Sequence, residues 1–171
     1  MPSFSDSMDR DANRQVLTGE FPFRTKKTIT FAGGTTNAWG DDGGTLDGGA
    51  IFTVTGLVIV KLIAACTTSL GGASATLQVG ITGDTAIFMP TETATDIDAG
   101  QIWVNDAGNA AYIVAGEEAA AADNIPEYLL NGNDIILTIV AAGNNVTSGV
   151  LDFYALWKPI SDDGSVADSG N

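Results

Sequence analysis

The stretch AIFTVTGLVIVKLIAAC, residues 50 to 66, is the longest apolar run of the chain, and it decides the fold. Apart from one thiol, every second side chain is apolar, in the series Phe52, Val54, Gly56, Val58, Val60, Leu62, Ala64 and Cys66. A period of two with one apolar side predicts a strand that packs on a core. Val, Ile and Thr also favour strands over helices. We expect the central strand here, or two collinear strands bent at Gly56.

Two residues of this run, Lys61 and Cys66, indicate what surrounds the predicted strand. Lys61 argues against a membrane span, for which the run is also slightly short. Because a buried, unpaired ammonium group is costly, we expect Lys61 at an edge that faces solvent or a neighbouring molecule. Cys66 is the one cysteine of the chain and lies on the apolar side. It is therefore expected to be a buried thiol, and no intramolecular disulfide can form.

Shorter runs of the same kind recur along the chain, separated by turn residues. They predict further strands at 24–31, 73–81, 85–89, 101–104, 110–115, 134–142 and 150–158, with Pro90 ending the third of these. Residues 117–124 favour a helix but are too few to form a stable one alone. The prediction is an all-β antiparallel sandwich of about eight strands. A jelly roll is favoured, since the Cys…Trp…Cys pattern of an immunoglobulin-like domain is missing.

Polar segments flank the predicted sandwich on both sides. We predict an extended N-terminal arm over residues 1–22, a β-sandwich domain over 23–160 and a loose, polar C-terminal tail over 161–171. The N-terminus has no apolar segment typical of a signal peptide, and no stretch is long and apolar enough for a membrane span. We therefore expect no Sec export and no membrane partner.

The net charge of −14 is distributed unevenly. Residues 1–27 have five basic and four acidic residues, a net charge of 5 − 4 = +1, whereas residues 28–171 have two basic and 17 acidic ones, 2 − 17 = −15. An acidic body repels a phosphate backbone, which argues against nucleic-acid binding. The charge distribution has two interpretations. It keeps the protein soluble and does nothing more, or it marks an arm that docks on a partner while the acidic body faces solvent.

Few residues offer catalytic or metal-binding chemistry. The chain has no histidine, which removes the Ser-His-Asp and Cys-His arrangements and the usual zinc sites. Phosphate-binding glycine motifs are also missing. The aspartates of two loops, at positions 41, 42 and 47 and at positions 96 and 98, suit turn formation, with a calcium site as the alternative. The prediction is a protein without enzymatic activity, cofactor or metal site.

Candidate partner contacts lie in the arm and in one long loop. Phe21 and Phe23 flank a proline in an extended segment that packs on this domain or on a neighbour. Trp39 lies within the Gly/Asp-rich loop 32–49, either as a plug over the end of the sandwich or as an interface anchor. The predicted contact residues are Arg10, Arg14, Phe21, Phe23, Arg24 and Trp39.

Three segments, at residues 52–88, 93–106 and 133–161, resemble small structural proteins of tailed bacteriophages, of the head-decoration or cement type. They read FTVTGLVIVKLIAACTTSLGGASATLQVGITGDTAIF, TATDIDAGQIWVND and NDIILTIVAAGNNVTSGVLDFYALWKPIS. The resemblance implies an oligomeric β-sandwich protein of the virion, assembled in the host cytoplasm, with a trimer favoured. It implies the major capsid protein or other virion proteins as partners, and it supplies no active site.

The predicted function is therefore that of a capsid decoration or cement protein that docks through its arm and loops and stabilises the particle. The alternative is a receptor- or glycan-binding module of a head fibre or tail spike. That alternative needs exposed aromatic side chains near polar loop groups, for which Trp39 and Trp103 are the candidates.

Overall fold

The computed structural model describes residues 21–35, 37–106, 108–114, 124–140 and 143–171. These residues form strands, joined by turns and one short 3-10 helix at Ala94–Asp96, and none of their helices is long and apolar enough to cross a membrane. The strands are β1 (Phe23–Thr30), β2 (Gly49–Thr55), β3 (Leu57–Gly71), β4 (Thr76–Ile81), β5 (Asp84–Thr93), β6 (Gln101–Asp106), β7 (Asn109–Val114), β8 (Tyr128–Asn131), β9 (Ile135–Ile139), β10 (Ser148–Pro159) and β11 (Ser165–Asp168). The all-β prediction is confirmed.

The strands form two antiparallel sheets that pack against each other. One has the order β1-β10-β3-β6-β7, with β8 also paired to β3, and the other has the order β11-β2-β9-β4-β5. The pairs β1–β10, β2–β9, β3–β6 and β4–β5 are nested along the chain, as in one long hairpin. Rolling such a hairpin into two four-stranded sheets produces a jelly roll. Strands β7, β8 and β11 are additions to that eight-stranded pattern.

The central apolar stretch spans both sheets. Neither a single strand nor two collinear strands is observed, because β2 belongs to the five-stranded sheet and β3 to the six-stranded one. Gly56 makes the connection with a φ of +61°, a backbone conformation that favours glycine. The alternation continues across it, so Phe52, Val54 and Val58 are all at most 4% exposed. The apolar side predicted from the period of two is the core side of both strands.

The core lies between the two sheets, and its largest fully buried side chains include Trp103, Phe52, Phe88 and Phe153. Cys66 is buried among them, as predicted, and burial raises the pKa of its thiol. Such a packed interior supplies the main driving force for folding.

Side chains join the two sheets along their edges. The Thr25 hydroxyl donates to the carbonyl oxygen of Val166 at 2.6 Å. The Lys27 ammonium group contacts Asp168 Oδ1 at 2.6 Å and the Asn171 carbonyl oxygen at 2.5 Å. On the opposite side, Asn105 Nδ2 donates to the Ile87 carbonyl oxygen at 3.2 Å. The sandwich is therefore closed by hydrogen bonds as well as by its apolar core.

Two predictions about strand boundaries are wrong. The C-terminal segment predicted as a loose tail contains β11, which pairs with β2 and buries Val166. Pro90 does not end β5, which continues to Thr93. Because β5 is the last strand of its sheet, a proline without an N–H group is tolerated there. Residues 1–20 of the predicted arm, and residues 117–123 of the helix-favouring stretch, lie outside the described residues.

Replacement of Gly56 by alanine tests the crossing between the sheets. A Cβ at this position would overlap Asp163 Oδ1 and lie 2.6 Å from Ser161 Oγ. The Ser161 hydroxyl accepts a hydrogen bond from the N–H of Leu57 at 2.7 Å, which would be lost if Ser161 moved away. Gly43 has a similar φ of +69° with open space around it, so Gly43→Ala is a matched control. We expect Gly43→Ala to cost about 1 kcal/mol for the backbone conformation, and Gly56→Ala about 2 kcal/mol or more. Urea denaturation measures both, and equal losses would show that the packing around Gly56 is not constrained.

Candidate functional site

The outer face of the six-stranded sheet gathers most of the basic residues in the described chain. Cross-strand register aligns Arg24, Leu156 and Lys61 in one row and places Lys26 beside Tyr154. Successive side chains of a strand point to opposite sides of the sheet. Ile29, Phe153 and Leu62 are buried on the core side of the same three strands, so these side chains lie on the outer side. We call this surface the cationic face, and its residues are Phe21, Arg24, Lys26, Lys61, Tyr154, Leu156 and Lys158.

Two aromatic rings hold the four cations of this face together. The Phe21 ring centroid lies 5.4 Å from Lys61 Nζ and 5.2 Å from Lys158 Nζ. The Tyr154 ring centroid lies 5.6 Å from Arg24 Cζ and 5.7 Å from Lys26 Nζ. Cations within about 6 Å of a ring are attracted by its negative face. Each ring therefore offsets part of the repulsion between two neighbouring positive charges.

Two carboxylates neutralise part of the cationic face. Lys26 Nζ lies 2.8 Å from Asp152 Oδ2, and Lys61 Nζ lies 3.4 Å from Glu127 Oε1. Arg24 and Lys158 form no ion pair with another described residue. With four cations and two carboxylates, the net charge here is 4 − 2 = +2, whereas the described chain has five basic and 14 acidic residues, 5 − 14 = −9. The face is thus a positive region on an acidic molecule.

Apolar side chains continue this surface towards β8. Leu129 is 62% exposed, and its partner in the register is Ile59 of β3. Ile63 and Leu156 are half-buried on the same side of the sheet. Arginine and aromatic side chains next to apolar ones are enriched at protein–protein contacts. This combination makes the cationic face the best candidate binding surface of the described chain.

Lys61 is not at an edge, so that prediction is wrong. Its strand β3 lies inside the sheet, between β10 and β8, and the residue is 9% exposed. The expectation rested on the cost of burying an unpaired charge. The ion pair with Glu127 and the ring of Phe21 offset that cost. A buried lysine is accommodated because its ammonium group has partners on the face.

Of the predicted contact residues that the structure describes, Phe21 and Arg24 lie on the cationic face, whereas Phe23 and Trp39 do not. Phe23 stacks on Trp157 with ring centroids 4.5 Å apart. Trp39 is 8% exposed and forms an isolated β-bridge with Phe31, which favours the plug interpretation over an interface anchor. Arg10 and Arg14 lie outside the described residues.

Sequence reasoning missed five residues of the face: Lys26, Lys61, Tyr154, Leu156 and Lys158. The alternation in β1 does place Arg24 and Lys26 on one side. Their meeting with β10 and β3 depends on pairings between strands far apart in the chain. The period of two assigns a side to each residue, but it contains no information about neighbouring strands.

The loop aspartates bond to the backbone. Asp41 accepts a hydrogen bond from the N–H of Gly34 at 3.2 Å, and Asp42 accepts one from Gly143. Asp47 accepts two, from Gly43 at 2.9 Å and from Ile139 at 2.8 Å. Within the described parts of the chain, no group of three or more His, Cys, Asp or Glu residues could hold a metal ion. These contacts favour the turn-forming interpretation over a calcium site.

The environment of Asp152 makes part of the stability depend on pH. Burial acts to raise the pKa of this carboxyl, but the hydrogen bonds from Lys26 and Thr28 outweigh it, and the pKa is lowered. The Thr28 hydroxyl donates to Asp152 Oδ1 at 2.6 Å. A carboxyl with a lowered pKa stabilises the fold above its unfolded pKa of about 4, and this contribution is lost as the pH falls through the folded value.

We therefore expect Asp152→Asn to lower the free energy of unfolding at pH 7 by about 1 kcal/mol. This is less than for a buried charge-assisted hydrogen bond, because the Lys26 side chain is 46% exposed and solvent screens the pair. The difference from the unchanged protein should shrink as the pH falls below about 4. Urea denaturation over a series of pH values measures it. The control is Asp162→Asn in an exposed turn, which should change stability by less than about 0.5 kcal/mol. A loss for Asp152→Asn that is the same at every pH would contradict the assignment.

No family model matches this chain, and neither the curated proteins nor the solved structures include a significant match to it.

Proposed function

We propose that this chain is a non-enzymatic structural protein of a virion, a capsid decoration or cement protein that binds the particle surface and stabilises it. The observation that carries the proposal is the cationic face, a positive, aromatic and partly apolar surface on an otherwise acidic jelly roll. The resemblance to decoration proteins of tailed bacteriophages supports the location in the virion. The major capsid protein or another virion protein is the partner.

The predicted N-terminal arm, residues 1–22, ends at this surface. Phe21 is part of the cationic face, with its ring close to Lys61 and Lys158. The arm contains Arg10 and Arg14 and several apolar residues. Arm and face together offer a composite contact in which the arm reaches a neighbouring protein while the sandwich lies against the particle.

Both candidate residues of the glycan-binding alternative are buried. Trp39 is 8% exposed and Trp103 is fully buried. Sugar rings need an exposed aromatic surface for stacking, and neither indole offers one. No other observation in the described chain favours that function over the structural one.

Occupancy of particles tests the proposal. Particles that lack the protein are mixed with purified variants, and the bound amount is measured by quantitative mass spectrometry. The deletion should end at residue 20, because removal of residues 1–30 would also remove β1 and the fully buried Ile29. We expect this deletion, and separately the pair Arg24→Gln and Lys158→Gln, each to lower occupancy by at least about tenfold at limiting protein.

A control separates these effects from a general change in charge. Thr53 and Thr55 are exposed on β2 of the other sheet, and Thr53→Glu with Thr55→Glu changes the net charge by −2, as the Arg24 and Lys158 pair does. This control variant should bind like the unchanged protein. Full occupancy by the deletion variant and by the Arg24 and Lys158 variant would contradict the proposed function.

A further inference from the structure

The outermost strands of the two sheets differ in how they are protected against pairing with another strand. Natural edge strands are protected by charged residues, proline, irregular register or shortness. Strand β1 carries Arg24, Lys26 and Lys27, and β5 carries Pro90 and has two register shifts. Strands β8 and β11 have four residues each. The remaining edge strand of the described sheets, β7, has none of these features.

Strand β7 is a regular and uncharged edge. It pairs with β6 in six consecutive positions, and its sequence NAAYIV contains neither proline nor a charged residue. On its other side, no strand and no backbone hydrogen bond of the described chain is present. Alternate residues of such a strand direct their N–H and C=O groups outwards. Strand β7 therefore offers a row of backbone donors and acceptors to an added strand.

The described side chains of this edge are mainly apolar on both sides of the sheet. Tyr112 packs against the core, so Ala111 and Ile113 lie on the outer side by alternation. All three are half-buried. Aromatic and β-branched residues pair well across strands with residues of the same kind. The edge thus favours an added strand with β-branched or apolar residues at its centre.

Three carboxylates make the surroundings of β7 acidic. Asp106 is opposite Asn109 in the register. Burial is the main reason why the pKa of Tyr112 is raised, and the carboxylates of Glu92 and Asp96 raise it further, so both lie near β7. None of the three carboxylates forms an ion pair with a described residue. The basic residues of the described chain lie on β1, β3 and β10, so the acidic charge beside β7 is not neutralised there.

We propose that β7 binds an extended segment of a different protein, which adds a strand to the six-stranded sheet. Main-chain hydrogen bonds give such an added strand its affinity, and its side chains give specificity. The apolar surroundings select β-branched or apolar residues at its centre, and the carboxylates select Lys or Arg at its ends. Because β6 separates this edge from β3 and the cationic face, the inference goes beyond the proposed function and does not depend on it.

A second copy of this chain fits the edge poorly. Pairing of β7 with β7 would bring the carboxylates of both copies together, and like charges in a contact are costly. Residues 1–20 have two basic and four acidic residues, a net charge of 2 − 4 = −2. Strand β1 has its charges within the strand, where the edge requires apolar side chains. The partner is therefore a different protein with a basic extended segment.

Amide hydrogen exchange of the full chain with a synthetic peptide tests the inference. The probe has three Thr-Val pairs at its centre and two lysines at each end. One control peptide has glutamates in place of the lysines, and the other has the lysines but an N-methyl group on every central residue. The N-methyl peptide keeps the charge but cannot donate the hydrogen bonds of an added strand. We expect the probe to slow exchange in residues 109–114 at least about fivefold, and each control peptide less than about twofold.

A charge placed on the edge should prevent the pairing. Ile113→Lys puts a positive charge into β7 and should weaken binding of the lysine peptide at least about tenfold, measured by fluorescence anisotropy. Thr30→Lys, at an exposed position of β1, changes the net charge equally and should weaken binding less than about twofold. If Ile113→Lys is unstable by circular dichroism, Ala111→Lys on the same strand is used.

Several results would overturn the inference. Unchanged exchange in residues 109–114 at the solubility limit of the peptide would show that the edge does not accept a strand. Equal effects of the lysine and N-methyl peptides, or of the two lysine variants, would show general attraction to an acidic molecule. Slower exchange at higher protein concentration without peptide would identify a second copy as the occupant. The pair Arg24→Gln and Lys158→Gln should leave peptide binding unchanged, so either proposal can fail without the other.

Discussion

The antiparallel pairing of β10 with β3 is the interaction on which the rest of the structure depends. It joins residues near the C-terminus to the central apolar stretch over most of the length of both strands. The core side of β10 supplies Leu151, Phe153 and Ala155, all fully buried. The other side of the same two strands presents Tyr154, Leu156 and Lys61. One register therefore defines both the packing of the six-stranded sheet and the order of side chains on the cationic face.

The jelly roll explains why a basic surface can exist on so acidic a chain. Strand β1 brings Arg24 and Lys26 from the start of the described chain, and β10 brings Lys158 from near its end. Nested pairing puts these strands side by side although they are distant in sequence. The acidic residues of the described chain lie mainly in turns and loops, where several accept hydrogen bonds from backbone N–H groups. The separation of charge thus follows from the separation between strands and loops.

Lys61 illustrates how the sheet and the face support each other. Its ammonium group is nearly buried in the sheet but has a carboxylate at 3.4 Å and an aromatic ring at 5.4 Å. Phe21 reaches it from the beginning of the described chain, and Glu127 from the segment before β8. Three separate segments meet at this one charge, and its contacts stabilise their arrangement. In the described chain, Arg24 and Lys158 are the cations without an ion pair.

Much of the architecture follows from the sequence by itself. The period of two in residues 50–66 identified the core side of β2 and β3, because alternation depends only on local backbone geometry. Turn residues between apolar runs predicted an antiparallel sandwich, and the count of about eight strands favoured the jelly roll. The absence of histidine excluded the Ser-His-Asp and Cys-His arrangements and the usual zinc sites. Only the tertiary structure decided that the chain changes sheets at Gly56, that residues 165–168 form a strand, and that Trp39 and Trp103 are buried. It alone assembled the cationic face, because strand pairing is a long-range contact whose partners are chosen by the packing of the whole core.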